Sequence, residues 1–244
     1  MTWSKKGFVR KIESMGTLDG PGVRTVVFFG GCPLRCSYCH NPDLWKTQPS
    51  DLTTIDELYE KISRYKTFYG TDGGVTISGG EPLSQPLFLK SFLEKCRENE
   101  IHTVLDTSGF GNAAHFDSIL KLVDLVIFDL KEPNPFDYPK LTGVTKRISD
   151  QFVAKAQENN VPLWIRTVIV PGHNDTFEKM DELAVEINKI KNVEKVQLLP
   201  YHTMGNSKYT ELGIEYPLEG VPGMEKEKLD ELFVYLQGKL DIYK

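Results

Sequence analysis

The chain has 244 residues, 40% hydrophobic and 26% charged, which is typical of a globular protein with a sizeable apolar core. Its net charge is −5, with acidic and basic residues interleaved, which argues against a nucleic-acid-binding protein. It contains no apolar stretch long enough to span a membrane and no apolar signal segment at its start, so we expect a cytoplasmic protein with no membrane partner.

Short β-branched runs alternate with amphipathic stretches along the chain. They predict six strands, at 23–29, 74–78, 102–107, 125–129, 163–170 and 193–199. Between the first two strands, Thr54 and Glu57 form the signature of a helix capping box. The alternation predicts a parallel sheet wrapped by helices, open or curled into a partial barrel. We expect one domain over 1–244, with an N-terminal extension at 1–22 and a C-terminal helix at about 225–241.

Distinctive residues follow the end of each predicted strand. A cysteine loop follows the first strand and GGEP the second, while the third ends in DTSG and the fourth in DLK. The fifth strand carries Arg166 and runs into PGHND, and the sixth runs into PYH. Because ligands of parallel α/β folds bind at the C-terminal ends of the strands, these six segments predict one pocket at that edge.

Three of the four cysteines have the spacing C-x3-C-x2-C, as Cys32, Cys36 and Cys39. In a reducing compartment, clustered cysteines indicate metal binding or catalysis rather than disulfides. Thiolates hold iron–sulfur clusters, usually four per cubane, so three would leave one iron with an open position. His40 could instead complete a zinc site, but neighbouring residues 39 and 40 are awkward joint ligands, and we favour a cluster. Cys96 falls on an apolar helix face and is expected to be buried and structural.

The cysteine motif, with the aromatic Tyr38 before its last cysteine, resembles that of the radical S-adenosylmethionine superfamily. The resemblance runs from Gly16 to about Gly205, through GTLDGPGVRTVVFFGGCPLRCSYCHNPDLW, GGVTISGGEPL, LDTSGF, LVIFDLK, WIRTVIVPG and VEKVQLLPYHTMG. Within the superfamily, these segments are similar in order and spacing to those of the organic radical-activating enzymes. Some activases carry ferredoxin-like cysteine insertions that this chain lacks, which favours a formate-lyase over a dehydratase as partner.

The resemblance implies a partial (β/α)6 barrel of the TIM type, with one 4Fe–4S cluster on the three cysteines. S-adenosylmethionine would chelate the open iron and be cleaved to methionine and a 5′-deoxyadenosyl radical. The implied reaction abstracts a hydrogen atom from a glycine α-carbon of a glycyl radical enzyme similar to pyruvate formate-lyase (formate C-acetyltransferase), in anaerobic glucose metabolism. A flavodoxin or ferredoxin would donate the electron, and we expect a monomer.

Two alternatives remain. A radical S-adenosylmethionine enzyme of the same architecture could act on a different glycyl radical enzyme or on a small molecule. A non-catalytic iron–sulfur or zinc module would belong to another class, but it needs no edge of polar pocket residues, and a carrier normally closes its cluster with a fourth cysteine.

The resemblance also implies the residues that bind S-adenosylmethionine. SGGEP alone would be a glycine turn, but beside the cluster Gly79 and especially Gly80 allow close approach of the backbone to the amino-acid moiety. Glu81 would help to position the site. The other implied cofactor contacts are Tyr38, Cys39, His40, Asn41, Asp129, Leu130, Lys131, Arg166 and His202.

Several of these residues have an alternative structural interpretation. Asp129 and Lys131 face the same side of an extended segment, although Lys131 could be a solvated strand end. Arg166 could form an ion pair instead of contacting the cofactor carboxylate, and His202 could be an ordinary strand-end histidine.

Two further functions are expected at this edge. Asp106, Thr107 and Asp129 could offer oxygen ligands to a small cation. Asp19, in LDGPG just before the first strand, is expected near the mouth, where it could hydrogen-bond an incoming glycine loop.

Overall fold

Eight strands form one mixed sheet in the computed structural model, which describes residues 5–244. Six of them are parallel neighbours in the order β2-β4-β5-β6-β7-β8, and β1 pairs antiparallel with both β2 and β3. The two ends of the sheet do not pair with each other, so the barrel is partial. The bounds are β1 Lys6–Gly16, β2 Arg24–Phe29, β3 Leu52–Thr54, β4 Gly74–Gly79, β5 His102–Thr107, β6 Leu125–Asp129, β7 Leu163–Ile169 and β8 Val193–Pro200.

Residues 5–244 form eight helices. In chain order they are α1 Ile55–Ser63, α2 Pro86–Glu98, α3 Phe116–Leu120, α4 Tyr138–Thr142, α5 Arg147–Glu158, α6 Phe177–Ile187, α7 Asn206–Leu212 and α8 Lys226–Gln237. The predicted capping box starts α1: Thr54 Oγ1 accepts from Glu57 N at 3.2 Å, and Glu57 Oε2 accepts from Thr54 N at 2.8 Å. Across residues 5–244, no helix is both long and apolar enough to span a membrane.

The six predicted strands are confirmed, each to within one residue at either end. The prediction missed β1 and β3. Of the predicted extension 1–22, residues 1–4 lie outside the described residues, and most of the remainder is β1. This strand carries Arg10, Lys11 and Glu13, and only Gly7 is fully buried, so it lacks the apolar alternation that marks a strand with a buried face.

Alternate residues of the parallel strands face two different environments. Val27, Ile77, Leu105, Phe128 and Ile165 face outward into the large core beneath the helices. On the opposite, inner face, Val104, Leu125 and Ile127 pack together with Trp164 in a small apolar cluster. Towards the C-terminal ends of the strands, the inner face also carries polar residues, among them Ser78, Asp106 and Asp129.

Arg24 is buried at the N-terminal end of the inner face. Its Nε donates to Thr76 Oγ1 at 2.8 Å, and its other nitrogens donate to the carbonyls of Pro21, at 2.8 Å, and Val75, at 2.9 Å. Burial lowers the pKa of Arg24 to about 10. The guanidinium thus ties the preceding turn to the inside of the barrel, leaving the C-terminal end for the site.

Candidate active site

A cavity of about 520 Å³ lies at the C-terminal ends of the parallel strands, a size usual for small-molecule sites. It is lined by the cysteine loop after β2, the segments that follow β4, β5 and β6, and the end of β8. All the predicted site residues line it except Leu130 and Arg166. The strand ends therefore converge at the predicted edge.

Cys32, Cys36 and Cys39 are free thiols on one wall of this cavity. Their loop is held by α4, since Arg35 N donates to Thr142 O at 2.8 Å and Ser37 N donates to Leu141 O at 2.9 Å. Burial raises the pKa of Cys32 and Cys36 to about 12. Because metals bind thiolates, assembly of a cluster here must release protons.

The donors that line the cavity fit a 4Fe–4S cluster with S-adenosylmethionine. Among residues 5–244, no three His, Cys, Asp or Glu side chains are arranged to hold a single metal ion. In a cubane each cysteine binds a different iron, so the three thiols need not converge on one metal ion. Three buried polar atoms on the cavity residues Tyr38, Asp129 and His202 have no hydrogen-bond partner in the structure. Such atoms are costly to bury alone, and they suit a polar ligand beside the cluster.

Gly79 and Gly80 pack against the strand and loop that precede Cys32. Gly79 has a φ of +119°, and a Cβ there would lie 2.3 Å from Phe29 N. A Cβ on Gly80 would lie 2.3 Å from Gly31 O. Neighbouring backbone atoms thus leave no room for a Cβ at either position. The sequence had suggested a different reason for the glycines, the close approach of a ligand.

Glu81 joins the loops that follow β4 and β5. Its side chain is 1% exposed. Oε1 accepts from Leu83 N at 3.0 Å and Thr107 Oγ1 at 2.5 Å, and Oε2 accepts from Ser108 N at 2.9 Å and Ser108 Oγ at 2.6 Å. Burial raises the pKa of Glu81, while the four donors oppose that rise.

Lys131 and Asp129 form an ion pair inside the cavity. The Lys131 side chain is only 12% exposed, so its interpretation as a solvated strand end is wrong. Its Nζ lies 5.4 Å from the centroid of the Tyr38 ring, within range of a cation–π contact. Burial would lower the pKa of Lys131, but the Asp129 carboxylate, together with Tyr38 and Cys36, raises it above its usual value, so the ammonium stays charged.

His40 and His202 meet edge to face, with ring centroids 3.9 Å apart. Burial lowers the pKa of His40, and the nearby His202 and Lys208 lower it further, which favours a neutral imidazole. The Asn41 side chain accepts from Lys208 Nζ at 2.7 Å. Tyr209 Oη donates to Cys39 O at 3.0 Å. Lys208 and Tyr209 belong to α7, and no motif in the sequence marked them.

The predicted cation ligands lie on the cavity wall but already have partners. Asp106 Oδ2 accepts from Ser78 Oγ at 2.7 Å, and burial raises the pKa of Asp106. The Thr107 hydroxyl donates a hydrogen bond to Glu81 Oε1. A cation site on Asp106, Thr107 and Asp129 stays a prediction.

Asp19 reaches the cavity from inside the barrel. Its carbonyl accepts from Thr76 Oγ1 at 2.6 Å, and Thr76 lies in the middle of β4. LDGPG therefore runs along the inner face of the sheet instead of only beside the mouth. A contact between Asp19 and a glycine loop stays a prediction.

Arg166 and Leu130 do not line the cavity. Arg166 donates to the Leu18 carbonyl and, at 3.2 Å, to Gln197 Oε1, and its Nη1 lies 3.9 Å from Asp19 Oδ1. The guanidinium thus ties the 18–19 segment to β8. Leu130 is 2% exposed and belongs to the outer core. Cofactor contacts from these two residues stay predictions without support from the cavity.

Two solved structures show the likeness of the fold. A radical SAM methyltransferase from Sphaerobacter thermophilus superposes with a TM-score of 0.65 at 16% identity, over 88% of this chain and 64% of that protein. A domain of a pyruvate-formate lyase-activating enzyme from Bacteroides vulgatus superposes with a TM-score of 0.56 at 23% identity, over 68% of this chain and 94% of that domain. These likenesses confirm the partial barrel.

The sequence relatives are closer and span nearly the whole chain. A pyruvate formate-lyase-activating enzyme from Clostridium pasteurianum is 48% identical over 96% of this chain and 99% of its own length. One from Staphylococcus epidermidis is 42% identical over 97% of this chain and 98% of its own length. The model of the Radical SAM superfamily matches residues 26–184. The chain therefore belongs to the radical SAM superfamily and, within it, to the family of the pyruvate formate-lyase-activating enzymes.

Proposed function

We propose that this chain activates a glycyl radical enzyme similar to pyruvate formate-lyase, by removing a hydrogen atom from one glycine α-carbon of that enzyme. The observation that carries the proposal is the loop of three thiols, which opens into a cavity with unpartnered polar atoms on its other walls. A closed cluster of an electron carrier would need no such cavity. The proposal includes a cytoplasmic monomer that acts as one domain, with a flavodoxin or ferredoxin as electron donor.

Each wall of the cavity has a part in this function. Cys32, Cys36 and Cys39 would hold the 4Fe–4S cluster and leave one iron open for S-adenosylmethionine. When bound, these two cofactors supply reductive cleavage of the sulfonium and a radical able to take the glycine hydrogen. Asp129, with one oxygen paired to Lys131 and one without a partner, would accept a donor from the cofactor. The surrounding walls would shield the radical from solvent.

Replacing Asp129 or His202 by alanine is expected to weaken binding of S-adenosylmethionine at least about tenfold, because each change removes a buried polar group that faces the cavity. The cluster should still assemble, since neither residue is a thiolate ligand. Titration of the reconstituted protein with S-adenosylmethionine measures the affinity, and iron analysis measures the cluster.

The matched controls are Asp230→Ala and His173→Ala, which replace exposed residues outside the cavity. Both controls should bind the cofactor as the parent protein does. Normal cofactor binding by both Asp129→Ala and His202→Ala would contradict the placement of the cofactor against β6 and β8.

Isotope transfer tests the reaction itself. A pyruvate formate-lyase-like partner carrying deuterium on the α-carbon of its reactive glycine should pass the label into 5′-deoxyadenosine, and a glycyl doublet should appear by electron paramagnetic resonance. The control is the same partner with that glycine replaced by alanine, which should yield neither signal. Label that arrives instead from a small metabolite, with no glycyl doublet on the partner, would favour the small-molecule alternative.

A further inference from the structure

A surface groove reaches the cysteine loop and shares Cys32 with the cavity. Its volume is about 810 Å³, and Lys6, Trp45, Lys46, Leu87 and His115 lie along it together with Cys32. We name it the Cys32 groove. Of the described residues, Cys32 alone lines both this groove and the cavity. The groove and the cavity therefore share a single residue, and that residue is one of the expected cluster ligands.

The charge of the groove differs from that of the whole chain. The chain carries a net charge of −5, yet among the described residues that line the groove there is no Asp or Glu, while Lys6, Lys46 and His115 are present. The nearby carboxylates are already paired, Asp43 with Lys208 at 2.9 Å and Asp51 with Arg10 at 3.3 Å. The exposed Lys6 and Lys46 thus give the groove a positive charge that no Asp or Glu lining it compensates.

Apolar and cationic groups sit together around Cys32. The guanidinium of Arg35 lies 4.7 Å from the centroid of the Trp45 ring, and Arg35 Nη1 donates to Cys32 O at 2.8 Å. Leu87 is 46% exposed on the same groove. An exposed apolar centre with a charged rim is the usual composition of a protein-binding surface.

We propose that the Cys32 groove is the docking surface for an acidic one-electron carrier protein that reduces the cluster across Cys32. This inference rests on the proposed function, because it requires a cluster on the three cysteines. In the transfer, the reduced carrier loses one electron and the cluster gains it, with no bond formed or broken. Opposite charges favour encounter and correct orientation of the partners.

The placement separates the two protein partners of the chain. A glycine loop must enter the cavity, whereas the carrier would bind the groove, and only Cys32 is common to both. Apart from Cys32, the two partners would therefore contact different residues of this chain.

The test reverses the two exposed charges of the groove in the variant Lys6→Glu/Lys46→Glu. The control, Lys121→Glu/Lys155→Glu, makes the same change in net charge on exposed lysines outside the groove. Binding of an acidic flavodoxin to the reconstituted protein is measured by calorimetry at low and at high ionic strength. The groove variant should lose about tenfold or more in affinity at low salt, and the control less than about twofold.

Cleavage of S-adenosylmethionine provides a second measurement. With flavodoxin as reductant, the groove variant should cleave S-adenosylmethionine more slowly than the parent protein. With dithionite as reductant, the two rates should be equal. Equal flavodoxin affinity in the variant and the control, or no binding by the parent protein, would overturn the inference. So would a selective loss of affinity for the glycyl radical enzyme, or a dimer of the parent protein that the variant dissociates. Absence of cleavage even with dithionite would instead refute the proposed function, while the calorimetry would still test the groove.

Discussion

Replacing Cys32, Cys36 or Cys39 by alanine is expected to abolish the cluster, so that iron falls from about four atoms per chain to background after anaerobic reconstitution. Each of the three thiols would bind a different iron. No spare cysteine among the described residues lines the cavity to substitute for a lost thiolate. Iron analysis and electron paramagnetic resonance of the reduced protein measure the loss, and cleavage of S-adenosylmethionine should disappear with it.

Cys96→Ala is the matched control for these three variants. Cys96 is 0% exposed in the core beneath the helices, and burial raises the pKa of its thiol to about 12, so it is an inert thiol. Its replacement should cost about 1 kcal/mol of stability through lost burial and leave iron and activity unchanged. Tightly bound zinc without iron in the reconstituted parent protein would contradict the cluster.

The positions of the six parallel strands could be predicted from the sequence because their apolar residues are continuous. Val26, Val27 and Phe29 are all buried, and so are Leu125 to Phe128. Both faces of such strands are covered, which produces short apolar runs between helices. The strand β1 could not be found in this way, because all its side chains except that of Gly7 are half-exposed or exposed.

The cysteine loop could be predicted because its chemistry depends on residue type and spacing within eight positions. Contacts between segments far apart in the sequence could not be predicted in this way. Lys208 and Tyr209 hold the loop from α7, more than 160 residues along the chain, and neither belongs to a motif. The sequence placed Arg166 at the correct edge of the sheet. A polar residue on a strand can face either a ligand or another segment of the chain, and here Arg166 donates a hydrogen bond to the Leu18 carbonyl.

Glu81 shows how one residue can have both structural and functional roles. The sequence interpretation gave it only a positioning role, beside the glycines. In the structure, its carboxylate receives four hydrogen bonds from three residues, Leu83, Thr107 and Ser108. Thr107 and Ser108 line the cavity with it, so the carboxylate sets the distance between the walls formed after β4 and β5.

Glu81→Ala should therefore lower the free energy of unfolding by about 3–5 kcal/mol, because four buried donors lose their acceptor at once. The free energy of S-adenosylmethionine binding should lose more than the free energy of unfolding does, because both cavity walls are then free to shift. Glu81→Gln keeps the shape but turns an NH2 group towards two of the donors, so it should lie between the parent protein and the alanine variant. Urea unfolding and cofactor titration measure the two effects separately.

Glu57→Ala is the control for Glu81→Ala. Glu57 also accepts hydrogen bonds from backbone and hydroxyl, at Thr54 N and Thr53 Oγ1, but it lies at the exposed start of α1 and does not line the cavity. Water can replace it there, so the loss of stability should be far smaller and cofactor binding unchanged. If Glu81→Ala lost stability yet bound S-adenosylmethionine with the affinity of the parent protein, the carboxylate would serve the fold alone. The cavity walls would then be held apart by their strands, without help from the loops that Glu81 connects.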